Sequence, residues 1–248
     1  DLFAARLRST GWYRTHGESW RKAETLRQTD PASWGSTLAE KRNEIRAAAQ
    51  ALGAVVSGAD LASLADRALH AGWDEGALQR VLVQYVTVSK YGGLMGDAGK
   101  VETQLRGIAA SNGVEYADGF YQNAAKAVLA GNANPEEWED QIRETAAQTY
   151  KPWANQIRAG QNVRDLASPY IKSMEAILEL PEWQISLKDP TLRKAITAVS
   201  PEGDMTVSPL WQFERELRRD SRWFGTKNAQ NEITNVASSL LKDWGLSE

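Results

Sequence analysis

The chain has 248 residues, with 29 Lys and Arg against 32 Asp and Glu and a formal charge of −3. At 42% hydrophobic and 25% charged residues it has enough apolar material for a core, which excludes wholesale disorder, and its length suits one large domain or two small ones. The lack of cysteine excludes disulfides and thiolate metal sites, and the near-even charge excludes a general electrostatic pull toward nucleic acid or an anionic membrane.

Residues 2–7 read as a short amphipathic helix ended by Gly11. Trp12, Trp20 and Leu26 punctuate a second, strongly charged helical segment. Asp30-Pro31 is a helix start, a capping acceptor with Pro at the first helical position. From Ser36 the pattern Leu38, Ile45, Ala48, Ala49, Leu52 predicts a helix closed by Gly53. Asp60 is expected to cap the next helix, with Leu61, Leu64, Ala65, Ala68 and Leu69 on one face and Gly72 as its stop. Trp73-Asp74 opens another through Leu78, Val81, Leu82 and Tyr85. Residues 81–88 are β-branched enough to suit a strand, but no second strand is on offer, so helix is expected.

Residues 91–99, Tyr-Gly-Gly-Leu-Met-Gly-Asp-Ala-Gly, form the most glycine-dense loop. Helices are expected over 101–110, 118–129 and, from the start signal Asn134-Pro135-Glu136-Glu137, to Thr149. Pro152 opens a further helix, which Ser168-Pro169 breaks or kinks, and another runs from Tyr170 to Leu180. Asp189-Pro190 starts a short helix to Val199, and residues 200–209 are a loop. Residues 210–219 and 227–244 complete the helices, the last closed by Gly245. No apolar run approaches the ~20 residues of a membrane helix. No signal peptide is read, and an opening on Asp1 without Met suits a processed product or part of a longer protein.

Residues 45–82 align with 105–142 at an offset near 60: Ile45-Arg46 with Leu105-Arg106, Ala49 and Gly53 with Ala109 and Gly113, Ala68-Leu69 with Val128-Leu129, and Gly72 with Gly131 after one residue of slip. Each stretch reads helix, glycine turn, capped helix, glycine turn, capped helix. Chance similarity between alanine-rich helices would give the same pattern, so the duplication stands beside that alternative.

Catalytic patterns fare poorly. The two histidines, His16 and His70, lack a metal-ligand spacing, and no Gly-x-Ser-x-Gly elbow occurs. The loop ending Gly99-Lys100 resembles a Walker A motif, but Val101 stands where Ser or Thr would meet Mg²⁺ and no strand precedes it. Gly93-Leu94-Met95 resembles the Gly-Leu-Met of lytic transglycosylases. That family places a catalytic Glu-Ser about twenty residues earlier, and this chain has none there; Glu75, beside Trp73, is the nearest formal candidate for the acid. Arg6, Arg8, Arg14, Arg21, Lys22 and Arg27, interleaved with Trp12, Tyr13 and Trp20, could grip phosphates and stack bases, although solvated helix flanks account for them equally. Arg215, Arg218, Arg219 and Arg222 are balanced by Glu214, Glu216 and Asp220, which suggests salt-bridge lacing.

The C-terminal third carries a resemblance. Residues 160–170, Gly-Gln-Asn-Val-Arg-Asp-Leu-Ala-Ser-Pro-Tyr, precede Leu187-Lys188-Asp189-Pro190, Trp211-Gln212-Phe213-Glu214, Arg219-Asp220-Ser221-Arg222-Trp223 and Thr226-Lys227-Asn228-Ala229, with Trp244-Gly245-Leu246 at the end. With the opening 7–13, Leu-Arg-Ser-Thr-Gly-Trp-Tyr, this texture resembles virion structural proteins of tailed actinobacterial phages, of tape-measure or tail-interior type. The resemblance covers about half the chain and brings no catalytic residue. It implies assembly with other virion proteins rather than a reaction.

The sequence therefore predicts an all-α, multi-helix array containing a duplicated helical-hairpin unit. Its expected division is an N-terminal extension over 1–35, a duplicated body over 36–150 and a C-terminal helical part over 151–248. The expected function is structural, in a phage tail or capsid interior, through homo-oligomeric or mixed assembly. Trp12, Tyr13, Trp20, Trp211, Phe213 and Trp223 are the expected interface residues, since large rings serve as packing anchors or contact hot spots. No enzyme activity, cofactor or metal is expected. A peptidoglycan-cleaving enzyme and a DNA-associated virion protein are the alternatives.

Overall fold

A computed structural model describes residues 2–244, with side chains from residue 5 onward. The fold is all-α, with fifteen α-helices and one two-residue ribbon among the described residues. The helices are α1 (Leu2–Ser9), α2 (Gly11–Thr15), α3 (Glu18–Thr29), α4 (Pro31–Leu52), α5 (Gly58–Ala71), α6 (Glu75–Leu82), α7 (Gly96–Ser111) and α8 (Asp118–Leu129). They continue as α9 (Pro135–Thr149), α10 (Ala154–Arg158), α11 (Val163–Leu166), α12 (Ser168–Leu178), α13 (Pro190–Ile196), α14 (Leu210–Leu217) and α15 (Lys227–Asp243). The expected stop at Gly245 lies outside the described residues.

Local chemistry explains several boundaries. Asp30 caps α4 by accepting Ser33 N–H at 3.0 Å, with Pro31 in the first turn, and the helix then runs unbroken across residue 35. Asp74 and Asp189 do the same for α6 and α13. The cap of α5 corrects one expectation: it is Ser57, whose hydroxyl accepts Asp60 N–H at 3.1 Å and donates to the Asp60 carboxylate at 2.6 Å. Asp60 therefore sits inside the first turn. Residues 81–88 divide: α6 ends at Leu82, a 3₁₀ turn covers Val83–Tyr85, and Val86 forms an isolated antiparallel bridge with Ala54. The β-branched residues thus found a single-residue partner. The helix expected to reach Val199 ends at Ile196, and Ala198–Val199 instead pairs with Met205–Thr206 of the expected loop in a small antiparallel ribbon.

The chain groups into two compact units. The first comprises residues 1–105 and 116–135, the second 106–115 and 136–248. In the first unit α3, α4 and α5 pack on one another around Ile45, Ala49, Leu52, Leu61, Leu64, Ala65 and Ala68, with Leu78 and Leu82 of α6 closing the core. The glycine-dense loop belongs to this core. Helix α7 starts at Gly96, five residues before the expected 101, so the last four residues of the loop are helix. The reason is close backbone approach: a Cβ on Gly96 would lie 2.3 Å from the Ala51 carbonyl oxygen, and one on Gly53 would lie 2.0 Å from that of Met95. The buried Glu102 carboxylate then accepts Leu94 N–H at 2.6 Å and fastens the turn. The loop that resembles a phosphate cradle is built for helix-on-helix packing.

In the second unit Tyr150, Ile157, Met174, Ile185, Leu192, Ile196, Phe213 and Leu217 are all but inaccessible. Asn112 is fully buried and spends its amide within the unit: Nδ2 donates to Ile108 O at 2.9 Å and to Asn162 Oδ1 at 3.2 Å, and Oδ1 accepts Val163 N–H at 3.3 Å.

Some positions sixty apart are buried alike, whereas Ala68 and Leu78 are buried and Val128 and Trp138 only partly so. Ile45 and Leu105, Ala49 and Ala109, Ala65 and Ala125, and Leu82 and Ile142 are all buried. The C-terminal closures match too: Ala54 N–H donates to Ala49 O at 2.8 Å, and Val114 N–H to Ala109 O at 3.0 Å.

Candidate functional site

The aromatic residues expected at interfaces divide into three situations. Trp12, Tyr13 and Trp20 belong to a cluster on the first unit. His16 lies 3.9 Å from the Trp20 ring centroid, Trp12 lies 6.0 Å from Trp20, and His70 of α5 sits between Trp20 at 5.9 Å and Trp34 at 5.5 Å. The Arg21 guanidinium rests 3.7 Å over the Tyr13 ring and donates to the Tyr13 and His16 carbonyls. These rings spend their faces on one another, and in doing so they tie α2 and α3 to α5. Only Trp12, 48% accessible, keeps a large face open.

Phe213 and Trp223 take the packing role. Phe213 is fully buried, with Tyr170 edge-on at 5.2 Å, and Trp223 is 8% accessible. Trp211 is exposed on the opposite side of α14, with the Arg215 guanidinium 5.3 Å from its ring centroid.

The polar candidates are similarly placed. Beside the aromatic cluster, Trp20, Glu24, Asp66, Arg67, His70 and Trp73 border an open groove of about 570 Å³. Within it His70 Nδ1 lies 2.8 Å from the Asp66 carbonyl and Nε2 lies 3.6 Å from Glu24. The Glu24 carboxyl is held below its usual range, first by the Gln28 amide and then by Arg27 and His70. Both histidines of the chain therefore serve one aromatic cluster, and among the described residues no group of acidic or histidine side chains could hold a metal. Glu75 is exposed at the first position of α6, in the open rather than in an apolar pocket. Of the six N-terminal cations, Arg21 is spent on carbonyls, Lys22 lies 2.6 Å from Glu18 and Arg27 lies 3.8 Å from Glu24. Arg6, Arg8 and Arg14 remain on the surface.

A run of exposed apolar side chains lies elsewhere, on α15 of the second unit. Its first turn is tightly held. Thr226 accepts Ala229 N–H at 3.0 Å, and the Glu179 carboxylate accepts Lys227 N–H at 3.1 Å and Asn228 N–H at 2.9 Å. These bonds satisfy three of the four orphan donors of a helix start. Ala229 is fully buried beneath them. Beyond it every residue from 230 to 244 is exposed. Ile233, Val236, Ala237, Leu240, Leu241 and Trp244 follow the spacing i, i+3, i+4, i+7, i+8, i+11, a continuous apolar stripe. Ile233 and Val236 are each 55% accessible and Trp244 is 72% accessible.

No protein-family model, curated protein or solved structure matches the chain. No helix of the described residues is long and apolar enough to cross a membrane. The expected interface residues include none on α15, although the spacing of its apolar side chains is plain in the sequence. The signal was present in the spacing; what was missing was the absence of a second helix to cover it.

Proposed function

We propose that this protein is a structural component of a tailed-phage virion, in the tail or capsid interior, and that it works by protein–protein assembly rather than by catalysis. The observation that carries the assembly reading is the exposed stripe Ile233, Val236, Ala237, Leu240, Leu241 and Trp244 on a helix whose first turn is fixed by Glu179 and Thr226. Soluble proteins rarely leave a continuous apolar patch of several hundred Å² uncovered unless a partner covers it. The resemblance of the segments around Asp189-Pro190, Trp211 and Trp223 to tail-interior proteins supplies the setting. Shared burial at positions sixty apart supports a duplicated helical unit, an architecture suited to scaffolding.

The reading is tested on particles. Phage particles released from cells carrying the gene, purified on a density gradient, should contain the chain in a fixed ratio to the other virion proteins after repeated washing in salt. A chain found only in the soluble fraction would remove the virion assignment.

A further inference from the structure

We infer that the apolar stripe of α15 is the seat of a second copy of this chain, with the two α15 helices running parallel. The inference rests on the assembly reading above and adds the partner, the surface and the orientation.

Helix length gives the first argument. Residues 230–244 are all exposed, held within the chain by an Arg218–Glu232 pair at 3.9 Å and with nothing over the stripe, yet a helical segment of that length is marginal in water without a packed face. Its nucleus is supplied by the capped first turn at Thr226 and Glu179; its remaining turns need a partner along the stripe.

Area gives the second. The stripe's large side chains are each about half exposed or more, and together they offer on the order of 400–500 Å² of apolar surface. Two such stripes facing each other approach the roughly 1,000 Å² of total buried surface at which a specific interface becomes stable. The stripe is also graded for pairing with itself, with small Val236 and Ala237 between larger Ile233 and Leu240. In a parallel pair, equivalent residues pack in register, β-branched Ile233 and Val236 first and Leu240 one turn later.

Charge selects the orientation. Glu232 and Asp243 lie along one flank of the stripe, where Arg218 reaches Glu232 only at 3.9 Å in a half-exposed and therefore weak pair, and Thr234 and Ser238 lie along the other. An antiparallel pair would bring acidic flank against acidic flank. A parallel pair brings the acidic flank of each helix against the uncharged flank of its partner, so like charges stay apart.

Because the chain has no cysteine, the test is clean. By light scattering at tens of micromolar, the 27.4 kDa chain should show twice its monomer mass at physiological salt. Val236→Lys combined with Leu240→Lys should return it to monomer mass while leaving the thermal melt of the folded body in place, since both positions are exposed. Leu240→Cys should form an interchain disulfide under mild oxidation, and Asn235→Cys, on the far face of the helix, should not. A monomer at these concentrations would overturn the proposal, as would a dimer that survives the double substitution. Cross-linking at Asn235→Cys as readily as at Leu240→Cys would do the same. Wild-type binding to anionic vesicles through this stripe, without dimerisation, would reassign the face to a lipid surface. The particle test is independent: a monomer found in purified particles keeps the virion reading and discards this one, and a dimer absent from particles does the reverse.

Discussion

Gly96→Ala should cost the first unit about 3 kcal/mol or more, among the largest losses a single methyl group can produce. Two terms add. Gly96 has φ +59, a left-handed conformation that costs an L-residue roughly 1–2 kcal/mol. The new methyl carbon would also lie 2.3 Å from Ala51 O and 2.4 Å from Gly53 N. Both are backbone atoms at the end of α4, so no rotamer change relieves the overlap; α7 must move away from α4. Movement breaks the reciprocal contact, in which Gly53 approaches Met95 O, and strains the Glu102 bond to Leu94 N–H. Urea unfolding gives the loss directly, and hydrogen exchange should show it first at the C-terminal amides of α4. Gly107→Ala is the matched control on the same helix. No atom stands within 4 Å of its would-be Cβ, so the substitution should stabilise by up to about 1 kcal/mol through helix propensity. Equal stability of the Gly96→Ala and wild-type chains would remove the close-packing account of this loop.

The glycine loop also shows how far the sequence could be read. Its composition announced a special backbone, but composition alone is shared by phosphate loops, flexible turns and tight helix crossings. The deciding fact, that Gly53 and Gly96 face each other, joins residues 43 positions apart and is invisible to a local reading. Capping signals fared better because their physics is local: Asp30-Pro31, Asp74 and Asp189-Pro190 each form the cap that the dipeptide predicts. Ser57 was overlooked because Asp60 is also a capping residue, and only the geometry decides which of the two holds the other's N–H. The all-α class was legible from the 3.6-residue periodicity. The fate of each aromatic ring was not, since Phe213 and Trp211 differ by two positions on one helix and yet one is sealed and the other open. The stripe on α15 was legible as an apolar face but not as an uncovered one, because periodicity does not say what covers a face.

The arginine group around α13 and α14 gives the second large expected effect. Arg222 lies 2.6 Å from Asp189 through Nη1 and grips Asp220 through Nε at 2.9 Å and Nη2 at 2.6 Å, while Thr191 donates to Asp220 at 2.9 Å. Asp189 also caps α13, accepting Thr191 N–H at 2.9 Å. The two carboxylate side chains are only 12% and 11% accessible. Arg222→Met keeps most of the side-chain volume and leaves both carboxylates with no cation, at an expected cost of about 3 kcal/mol to the second unit. By contrast, the Arg158 fork on Glu144 is about half exposed on both sides, and its loss should be hard to detect.

Acid titration separates this charge effect from a packing defect. The Arg222 side chain, and then its backbone N–H and the Thr191 hydroxyl, hold the Asp220 carboxyl well below the ordinary 3.8. A depressed folded-state value contributes stability that is fully present above the unfolded value and is lost as pH falls through the folded one. The wild-type advantage over Arg222→Met should therefore be largest at neutral pH and shrink as pH falls into and through the ordinary carboxylate range, because in the variant protonation relieves an unpaired Asp220 carboxylate instead of breaking an ion pair. Arg222→Lys should fall between them, since it keeps the charge but loses the fork that spans both acids. Thermal melts of the three chains from pH 7 to pH 3 measure this. A constant gap between wild type and Arg222→Met across that range would mean that Arg222 acts through its volume and not through its charge.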